Sequence, residues 1–316
     1  MPRFREFLPQ GVIPACLLPF RDDLSIDEAE FRRHLLDVAA VPGLAALTVN
    51  AHASEVAACS LEEQRRVLDL ALDAVGDRLP IVHGVYADGS APAARIARQA
   101  QDGGASCLLV FPSYVLSAGG HLRPEMALAH IQAIAEASDL PLIVFQYPAH
   151  TGVHYPLDTL VRLAEAVPTV RAIKDWCNDP MLHERQIRVL QGLPRPVNVL
   201  STHSSWLLGS LAMGCKGLLS GAGSVIADLQ VALWRAVQAQ DFPAAQALNG
   251  RIYPLAQAFY AAPFLDMHNR MKEVLVMQGR LQRAVVRPPL VKLGAAELAR
   301  LREAVQSAGL PLAKAA

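Results

Sequence analysis

The feature that most constrains the fold is an eightfold alternation of short apolar runs with longer segments of helical periodicity. Each run is almost continuously apolar, which is typical of parallel strands that are covered on both faces. The runs occupy residues 12–18, 45–49, 80–85, 107–111, 142–146, 170–173, 197–200 and 217–220. Eight strand–helix units in succession favour an α/β fold in which the strands close into a (β/α)8 TIM barrel.

The chain continues beyond the eighth unit with helical stretches at 242–262, 264–279 and 295–309. No low-complexity linker separates them from the preceding residues. We therefore expect residues 1–240 to form the barrel and residues 241–316 to form a C-terminal helical extension of the same domain. An open dinucleotide-binding sheet would need a glycine-rich fingerprint after the first strand, and residues 18–23 contain no glycine.

Charge and cysteine content exclude several classes of protein. The 29 basic and 29 acidic residues give zero net charge, which favours neither a nucleic-acid partner nor an anionic membrane surface. The five cysteines are scattered without a CxxC pair, which argues against a disulfide framework and against a zinc site. Neither a signal-peptide pattern nor a bilayer-length apolar segment is evident. We expect a cytoplasmic protein that binds no metal and does not act on a membrane.

In a barrel of this kind, reactive groups come from the C-terminal ends of the strands and the loops that follow them. Lys174 comes directly after a buried run, so its ammonium group is expected in the barrel mouth. Burial lowers the pKa of an amine, as a Schiff-base nucleophile requires. The alternative is a strand-end lysine that pairs with Asp175 or extends to solvent. The other candidates at strand ends are His52, Ser54, Glu55, Ser113, Tyr114, Phe145, Tyr147, His150, Thr202, His203, Ser220, Gly221 and Ser224.

An ordered set of motifs resembles the dihydrodipicolinate synthase / N-acetylneuraminate lyase family of pyruvate-type class I aldolases. The resemblance implies that Lys174 forms a Schiff base with a small 2-oxo acid, without a cofactor, and that the chain assembles into a homotetramer, a dimer of dimers. The motifs are Pro19-Phe20, Ser54-Glu55, Ser60-Leu61-Glu62-Glu63, Pro112-Ser113-Tyr114, Pro148-Ala149-His150-Thr151-Gly152, Ile173-Lys174-Asp175, Gly214-Cys215-Lys216-Gly217 with Ser220, and Arg287-Pro288-Pro289-Leu290.

The loop after the second strand departs from the family pattern. The family usually has Gly-Thr-Thr-Gly-Glu there and holds the 2-oxo acid carboxylate with the threonines and backbone amides. This chain has Ala51-His52-Ala53-Ser54-Glu55. The amides of His52 and Ala53 can still bind a carboxylate, and the imidazole can add a donor or a cation. The alternative is a histidine that only fills space beside the loop.

The end of the fifth strand also departs from the family, whose Tyr-Asn-x-Pro motif supplies a proton-relay tyrosine. Here the segment is Phe145-Gln146-Tyr147-Pro148. A phenyl ring is neither acid nor base, so Phe145 is expected only to line the substrate site. Strand alternation places Tyr147 on the same side as Phe145. We hypothesise that Tyr147 or His52 takes over proton transfer; the alternative is an aromatic plug.

The remaining site residues follow from the resemblance. Tyr114 matches a family tyrosine that reaches across a dimer interface into the neighbouring site, which implies a catalytic role. His150 stands where the synthases have an arginine for the carboxylate of the aldehyde partner, and histidine cannot form the same bidentate pair. Ser220 and Gly221, at the end of the eighth strand, are expected to bind substrate together with His150.

These residues predict a Schiff-base lyase in which the protonated imine withdraws electrons, so that neither a metal nor an organic cofactor is required. The reaction is carbon–carbon cleavage or formation, and the electrophile differs from that of the family's synthases. A second hypothesis within this class of enzyme is a dehydratase or deaminase of a hydroxylated 2-oxo acid. A hypothesis from another class of protein is a non-catalytic barrel that binds a 2-oxo acid without turning it over, because Phe145 and His52 replace side chains that the family usually has.

Overall fold

The eight apolar runs form one parallel sheet in the computed structural model, which describes residue 4 and residues 6–313. Neighbouring strands pair in the order β1-β8-β7-β6-β5-β4-β3-β2, and bridges from Val12 to Leu44 and from Ala15 to Thr48 bring β1 against β2. The sheet thus closes on itself, and the predicted barrel is confirmed. Strands β1 to β8 are Gly11–Pro14, Leu47–Val49, Ile81–Val85, Cys107–Val110, Leu142–Gln146, Val170–Asp175, Asn198–Ser201 and Gly217–Ser220.

A helix follows each strand, and three more helices come after the eighth unit. Short 3-10 turns, among them His52–Ser54 and Phe264–Asp266, lie in the connecting loops. In the described part of the chain, helices α1 to α11 are Glu28–Ala39, Leu61–Val75, Ser90–Gly103, Pro124–Ala137, Leu157–Ala166, Pro180–Gln191, Leu207–Ala212, Gly223–Gln238, Phe242–Phe259, Met267–Met277 and Ala295–Ser307. None of the described helices has the length and apolar composition that crossing a membrane requires.

Local sequence signals explain where some elements begin and end. The capping box expected from the Ser60 motif is present, because Ser60 accepts from the Glu63 amide and Glu63 accepts from the Ser60 amide. The first strand is shorter than its apolar run. It ends at Pro14, and the Leu17 amide then donates to the Ser224 hydroxyl at 3.0 Å instead of to a neighbouring strand. In the last residues of this run, the apolar side chains therefore indicate burial and not strand structure.

Helix α10 is buried almost all round, between the barrel and the other C-terminal helices. It packs against α8, α9 and α11, and eight consecutive residues from His268 to Leu275 are buried. Residues four apart lie on the same side of a helix, so His268 and Lys272 point in a similar direction. The C-terminal helices therefore bring side chains to the same end of the barrel as the strand ends.

Candidate active site

A cavity of about 590 Å³ opens at the C-terminal ends of the strands, and Lys174 on β6 lines it. The side chain is 5% exposed, and its Nζ lies 4.0 Å from the centroid of the Phe145 ring on β5. Burial lowers the pKa of Lys174 from 10.5 to about 7. A substantial fraction of this amine is therefore neutral and nucleophilic near neutral pH.

Asp175 does not serve as the counterion of Lys174. Neighbouring residues in a strand point to opposite faces, and the Asp175 carboxylate accepts a hydrogen bond of 2.7 Å from His183 on α6. Burial alone would raise the pKa of Asp175, but the hydrogen bond from His183 and nearby imidazoles bring it below its usual value. Burial opposes the charge on His183 as well, yet its bond to Asp175 raises the pKa of the imidazole to about 9. Asp175 and His183 form a buried ion pair behind the cavity wall.

Asp175, Cys177 and His203 each bring a possible metal-ligand atom within 4.8 Å of the other two. These atoms also contact one another directly. The Cys177 thiol lies 3.5 Å from the Asp175 carboxylate and 3.8 Å from Nε2 of His203. The absence of a metal, expected from the sequence, stays a prediction.

His52 and Tyr147 lie together beside the Lys174 cavity. The Tyr147 hydroxyl is 2.9 Å from Nε2 of His52, and Tyr147 is only 2% exposed. Burial, helped by the nearby Lys174, lowers the pKa of His52 to about 3, and burial raises the pKa of Tyr147 well above 10. At neutral pH a neutral phenol and a neutral imidazole thus share this hydrogen bond, and the tautomer of His52 sets which of them donates. His52 lines the Lys174 cavity and also an adjacent groove of about 1100 Å³ that Tyr147 and Tyr114 line.

The loop that carries His52 is anchored on both sides. The Ser54 hydroxyl donates to the Cys16 carbonyl at 2.8 Å, and the Glu55 carboxylate accepts from the Arg287 amide at 2.9 Å and from the Lys272 ammonium. His52 and Ala53 line the cavity, and their amides have no acceptor within the part of the chain described. The turn thus presents two free N–H groups from a fixed loop.

His268 on α10 is a site residue that the sequence analysis missed. It lines both cavities and is 6% exposed, and its ring centroid lies 6.5 Å from that of His52. Burial and the nearby His52 and Lys174 hold the pKa of His268 well below 6.5. Gly221 lies beside it, and a Cβ at Gly221 would meet Nε2 of His268 at 3.5 Å, an ordinary van der Waals distance. No sequence signal places a helix residue at the ends of the strands.

Three other predicted site residues differ in whether they line the Lys174 cavity or the outer groove. Ser220 is buried just behind the lining, where its hydroxyl is 3.1 Å from that of the cavity residue Ser204. Tyr114 is 43% exposed and lines the outer groove, with its ring centroid 6.4 Å from that of Tyr147. His150 is exposed and lines neither cavity. The expected role of Tyr114 across a subunit interface stays a prediction.

A group of aromatic side chains was also missed. Trp176 follows Lys174 by two residues, so strand alternation would have placed it on the same side as the lysine. The other rings carried no comparable signal, because their positions depend on how the last loops and helices pack. The aromatic residues missed are Trp176, Trp206, Tyr260 and Phe264, and all of them line the Lys174 cavity.

The fold and the site define a (β/α)8 barrel with a buried lysine at its catalytic end, and comparisons with known proteins agree with this class. The model of the dihydrodipicolinate synthetase family matches residues 8–308. The chain is 34% identical over 217 residues to the 4-hydroxy-tetrahydrodipicolinate synthase of Salinibacter ruber, covering 68% of each chain. It is 30% identical over 316 residues to the enzyme of that name from Symbiobacterium thermophilum, covering 98% of this chain and 100% of the relative.

Solved structures share the fold over nearly the whole chain. A dihydrodipicolinate synthase from Bacillus anthracis superposes with a TM-score of 0.85 at 25% identity, covering 95% of this chain and 99% of the other. A prophage protein of the dihydrodipicolinic acid synthase family from E. coli K12, solved in complex with pyruvate, gives 0.88 at 22% identity, covering 96% and 99%.

The chain belongs to the dihydrodipicolinate synthetase family. It is accordingly a class I lyase, which works through a Schiff base on a lysine. The family membership inferred from the ordered motifs is confirmed.

Proposed function

We propose that Lys174 is the Schiff-base lysine of this lyase and that its substrate is pyruvate or another small 2-oxo acid. The observation that carries the proposal is a buried amine, with a pKa of about 7, which lines the cavity and has no acid beside it among the described residues. The neutral nitrogen attacks the keto carbon, and the carbinolamine loses water to give a protonated imine. The imine then accepts the electron pair released at the neighbouring carbon.

The names of the relatives support this choice of substrate class. The relatives at 34% and 30% identity are synthases of 4-hydroxy-tetrahydrodipicolinate, and the E. coli protein of the same fold was solved with pyruvate. In this chain, the free amides of His52 and Ala53 and the imidazole of His268 would hold the substrate carboxylate. The loop anchors at Ser54 and Glu55 would keep those amides in place.

His52 would transfer protons at the imine, with Tyr147 as its partner. Phe145 packs on Lys174 and offers no proton, whereas the His52 imidazole lines the same cavity and is hydrogen-bonded to Tyr147. The His52 imidazole can take up a proton released at the substrate and return it, while its hydrogen bond to Tyr147 holds the ring in place. This combines in one pair the two residues named as alternatives from the sequence.

The second reactant would differ from that of the family's synthases. His150, which stands at the position of their arginine, is exposed and away from the cavity. No arginine is among the described residues that line the Lys174 cavity.

We propose further that the chain assembles as a dimer of dimers, which light scattering after size-exclusion chromatography would test.

The experiment is reduction of the imine in place. Incubation with pyruvate and borohydride is expected to add one reduced pyruvate to the protein, and peptide mass spectrometry should map the adduct to Lys174. Lys174→Met should abolish the adduct, whereas Lys292→Met, which changes an exposed lysine, should leave it intact. No adduct with pyruvate or with a panel of other 2-oxo acids would contradict the proposal.

A further inference from the structure

Part of the lining of the Lys174 cavity consists of aromatic rings that the proposed imine chemistry does not use, next to the uncharged polar side chains of Asn178, Thr202, Ser204 and Ser205. Trp176 and Phe264 are stacked with centroids 4.6 Å apart at 15°, and Tyr260 stacks on Phe264 at 5.6 Å and 28°. Trp206 stacks on His203 at 4.3 Å and 29°. All four of these larger rings line the cavity and are only partly buried. They leave apolar surface open to whatever occupies the cavity.

These rings come from separate parts of the chain. Trp176 follows β6, Trp206 follows β7, and Tyr260 and Phe264 lie between α9 and α10. The Phe264 side of the wall therefore depends on the C-terminal helices and not on a strand. Three segments thus contribute aromatic rings to the cavity that Lys174 lines.

The distribution of charged side chains in the Lys174 cavity also favours an uncharged second reactant. Among the described residues that line it, Lys174 alone has an ammonium, guanidinium or carboxylate group, and the imine uses that amine. His52, His203 and His268 have depressed pKa values because they are buried, so they are neutral near pH 7. A second reactant with an ammonium or a second carboxylate would lose hydration without gaining a countercharge.

The space for an aromatic group lies in the outer groove. Measured as the space open to the centres of water molecules, the Lys174 cavity holds only about 50 Å³. The groove, which shares Trp176 and Phe264 with it, holds about 410 Å³, within the roughly 300–1,000 Å³ typical of small-molecule sites. That groove is lined largely by apolar and aromatic side chains such as Tyr86, Val56, Leu265 and Leu290. Its two charged lining residues, Glu55 and Arg287, are already paired with Lys272 and Glu63. An uncharged ring can thus extend past the aromatic wall without meeting an unpaired charge among the described residues that line the groove.

We propose that the aldehyde which this lyase releases or adds is aromatic and uncharged. This inference rests on the proposed function, because it assigns the partner of the Lys174 imine. In cleavage, the C3–C4 bond of a 4-aryl-4-hydroxy-2-oxo acid breaks and its electron pair passes through C3 to the iminium nitrogen, giving an enamine. The C4 hydroxyl loses its proton to the neutral His52 imidazole, and the aryl aldehyde leaves. The enamine then takes up a proton at C3, and water hydrolyses the pyruvate imine.

The test compares aldehydes with pyruvate as the common donor. Benzaldehyde, acetaldehyde, glyceraldehyde and aspartate semialdehyde would each be supplied to the full chain, and aldol products would be quantified by mass spectrometry. We expect kcat/KM for benzaldehyde to exceed that for each of the others at least tenfold. A polar aldehyde that matches or exceeds benzaldehyde would overturn the inference, and so would acetaldehyde reacting as well as benzaldehyde.

Variants test whether the aromatic residues that line the cavity cause the preference for benzaldehyde. Phe264→Leu should lower kcat/KM for benzaldehyde about three- to tenfold, since a stacked aromatic contact contributes about 0.5–1.5 kcal/mol. The loss for acetaldehyde should be smaller, because it has no ring to stack, so the ratio of kcat/KM for benzaldehyde to that for acetaldehyde should fall. Phe242→Ala, which removes an exposed ring on α9, is the matched control and should change neither rate. If Phe264→Leu kept the same preference for benzaldehyde, the aromatic rings would not be its cause.

The borohydride experiment separates this inference from the proposed function. Failure to trap pyruvate on Lys174 overturns both. A Lys174 adduct together with a preference for polar aldehydes overturns only the aromatic partner.

Discussion

Two buried lysines in this molecule each lie over a phenyl ring but differ in their hydrogen-bond partners. Lys174 is 5% exposed and lies 4.0 Å from the centroid of the Phe145 ring; Lys272 is fully buried and lies 4.5 Å from the centroid of the Phe20 ring. Lys272 also donates to the Glu55 carboxylate and, at 2.8 Å, to the Val285 carbonyl. In contrast, burial is the sole cause acting on the pKa of Lys174.

The difference shows how a barrel can hold one lysine as a structural cation and another as a reactive amine. Burial lowers the pKa of Lys272 too, but the Glu55 carboxylate opposes that shift and stabilises the charge. No carboxylate among the described residues pairs with Lys174, so the same burial favours its neutral form. The counterion, and not the depth of burial, separates the two roles.

The largest expected effect comes from removing each ammonium in turn. Lys272→Met should lower the free energy of unfolding by about 3–5 kcal/mol, because it leaves the buried Glu55 carboxylate without its cation. Lys174→Met should leave that free energy unchanged or raise it, since its burial is uncompensated at any pH below its unfolded pKa. Denaturant unfolding at pH 7 measures both.

The double variant Glu55→Gln with Lys272→Met gives the control. It should recover part of the loss, because neither partner is then left as an unpaired charge. Equal destabilisation by Lys174→Met and Lys272→Met would refute the distinction between the two lysines.

The next effect concerns how Lys174 functions without an acidic side chain in contact with it. Tyr147→Phe should slow deuterium exchange at the methyl group of pyruvate, followed by NMR in D2O, by roughly 10- to 100-fold, since His52 loses its hydrogen-bond partner. Tyr253→Phe changes an exposed tyrosine on α9 and should leave the rate unaltered. Exchange at the wild-type rate in Tyr147→Phe would exclude Tyr147 from proton transfer.

A smaller effect separates the lysines by pH. Lys174 has its pKa lowered to about 7, so its neutral fraction rises as the pH passes upward through that value. The initial rate of pyruvate trapping with cyanoborohydride should rise about tenfold from pH 6 to pH 8 and then level off. A rate that keeps rising toward pH 10 would indicate a lysine with an ordinary pKa.

The smallest effect belongs to a residue near neither lysine. His150→Ala should change kcat/KM by less than about twofold, because an exposed side chain that lines neither cavity contributes at most about 0.5 kcal/mol. Aldol turnover with pyruvate and benzaldehyde measures it. A tenfold loss of kcat/KM would instead support the substrate-binding role of His150 that the family resemblance implies.

The sequence predicted the barrel well because its signals are local. Continuous apolar runs mark strands that are buried on both faces, and β5 and β8 have the bounds expected for them. The position of Lys174 at a strand end followed from the same pattern. The contact between His52 and Tyr147 could be proposed only as two alternatives, since 95 residues separate them along the chain.

The rest of the site could not be read from local patterns. His268 and Phe264 belong to the last helices, whose placement depends on packing against α8, α9 and α11. The structural role of Lys272 was hidden for the same reason, because its partner Glu55 lies 217 residues away. His150 was named from its place in a motif; its side chain is exposed, and its role in substrate binding stays a prediction.

Helix α10 carries both His268 and Lys272, one turn apart, and this has a consequence for synthesis of the chain. During translation, the eight strands leave the ribosome before either residue does. Until α10 docks, the loop with His52 lacks its buried anchor and the cavity lacks one wall. The nascent barrel would thus carry Lys174 in an open, hydrated mouth, where its amine stays protonated and unreactive. Reactivity toward cellular carbonyl compounds would begin only once the protein is complete.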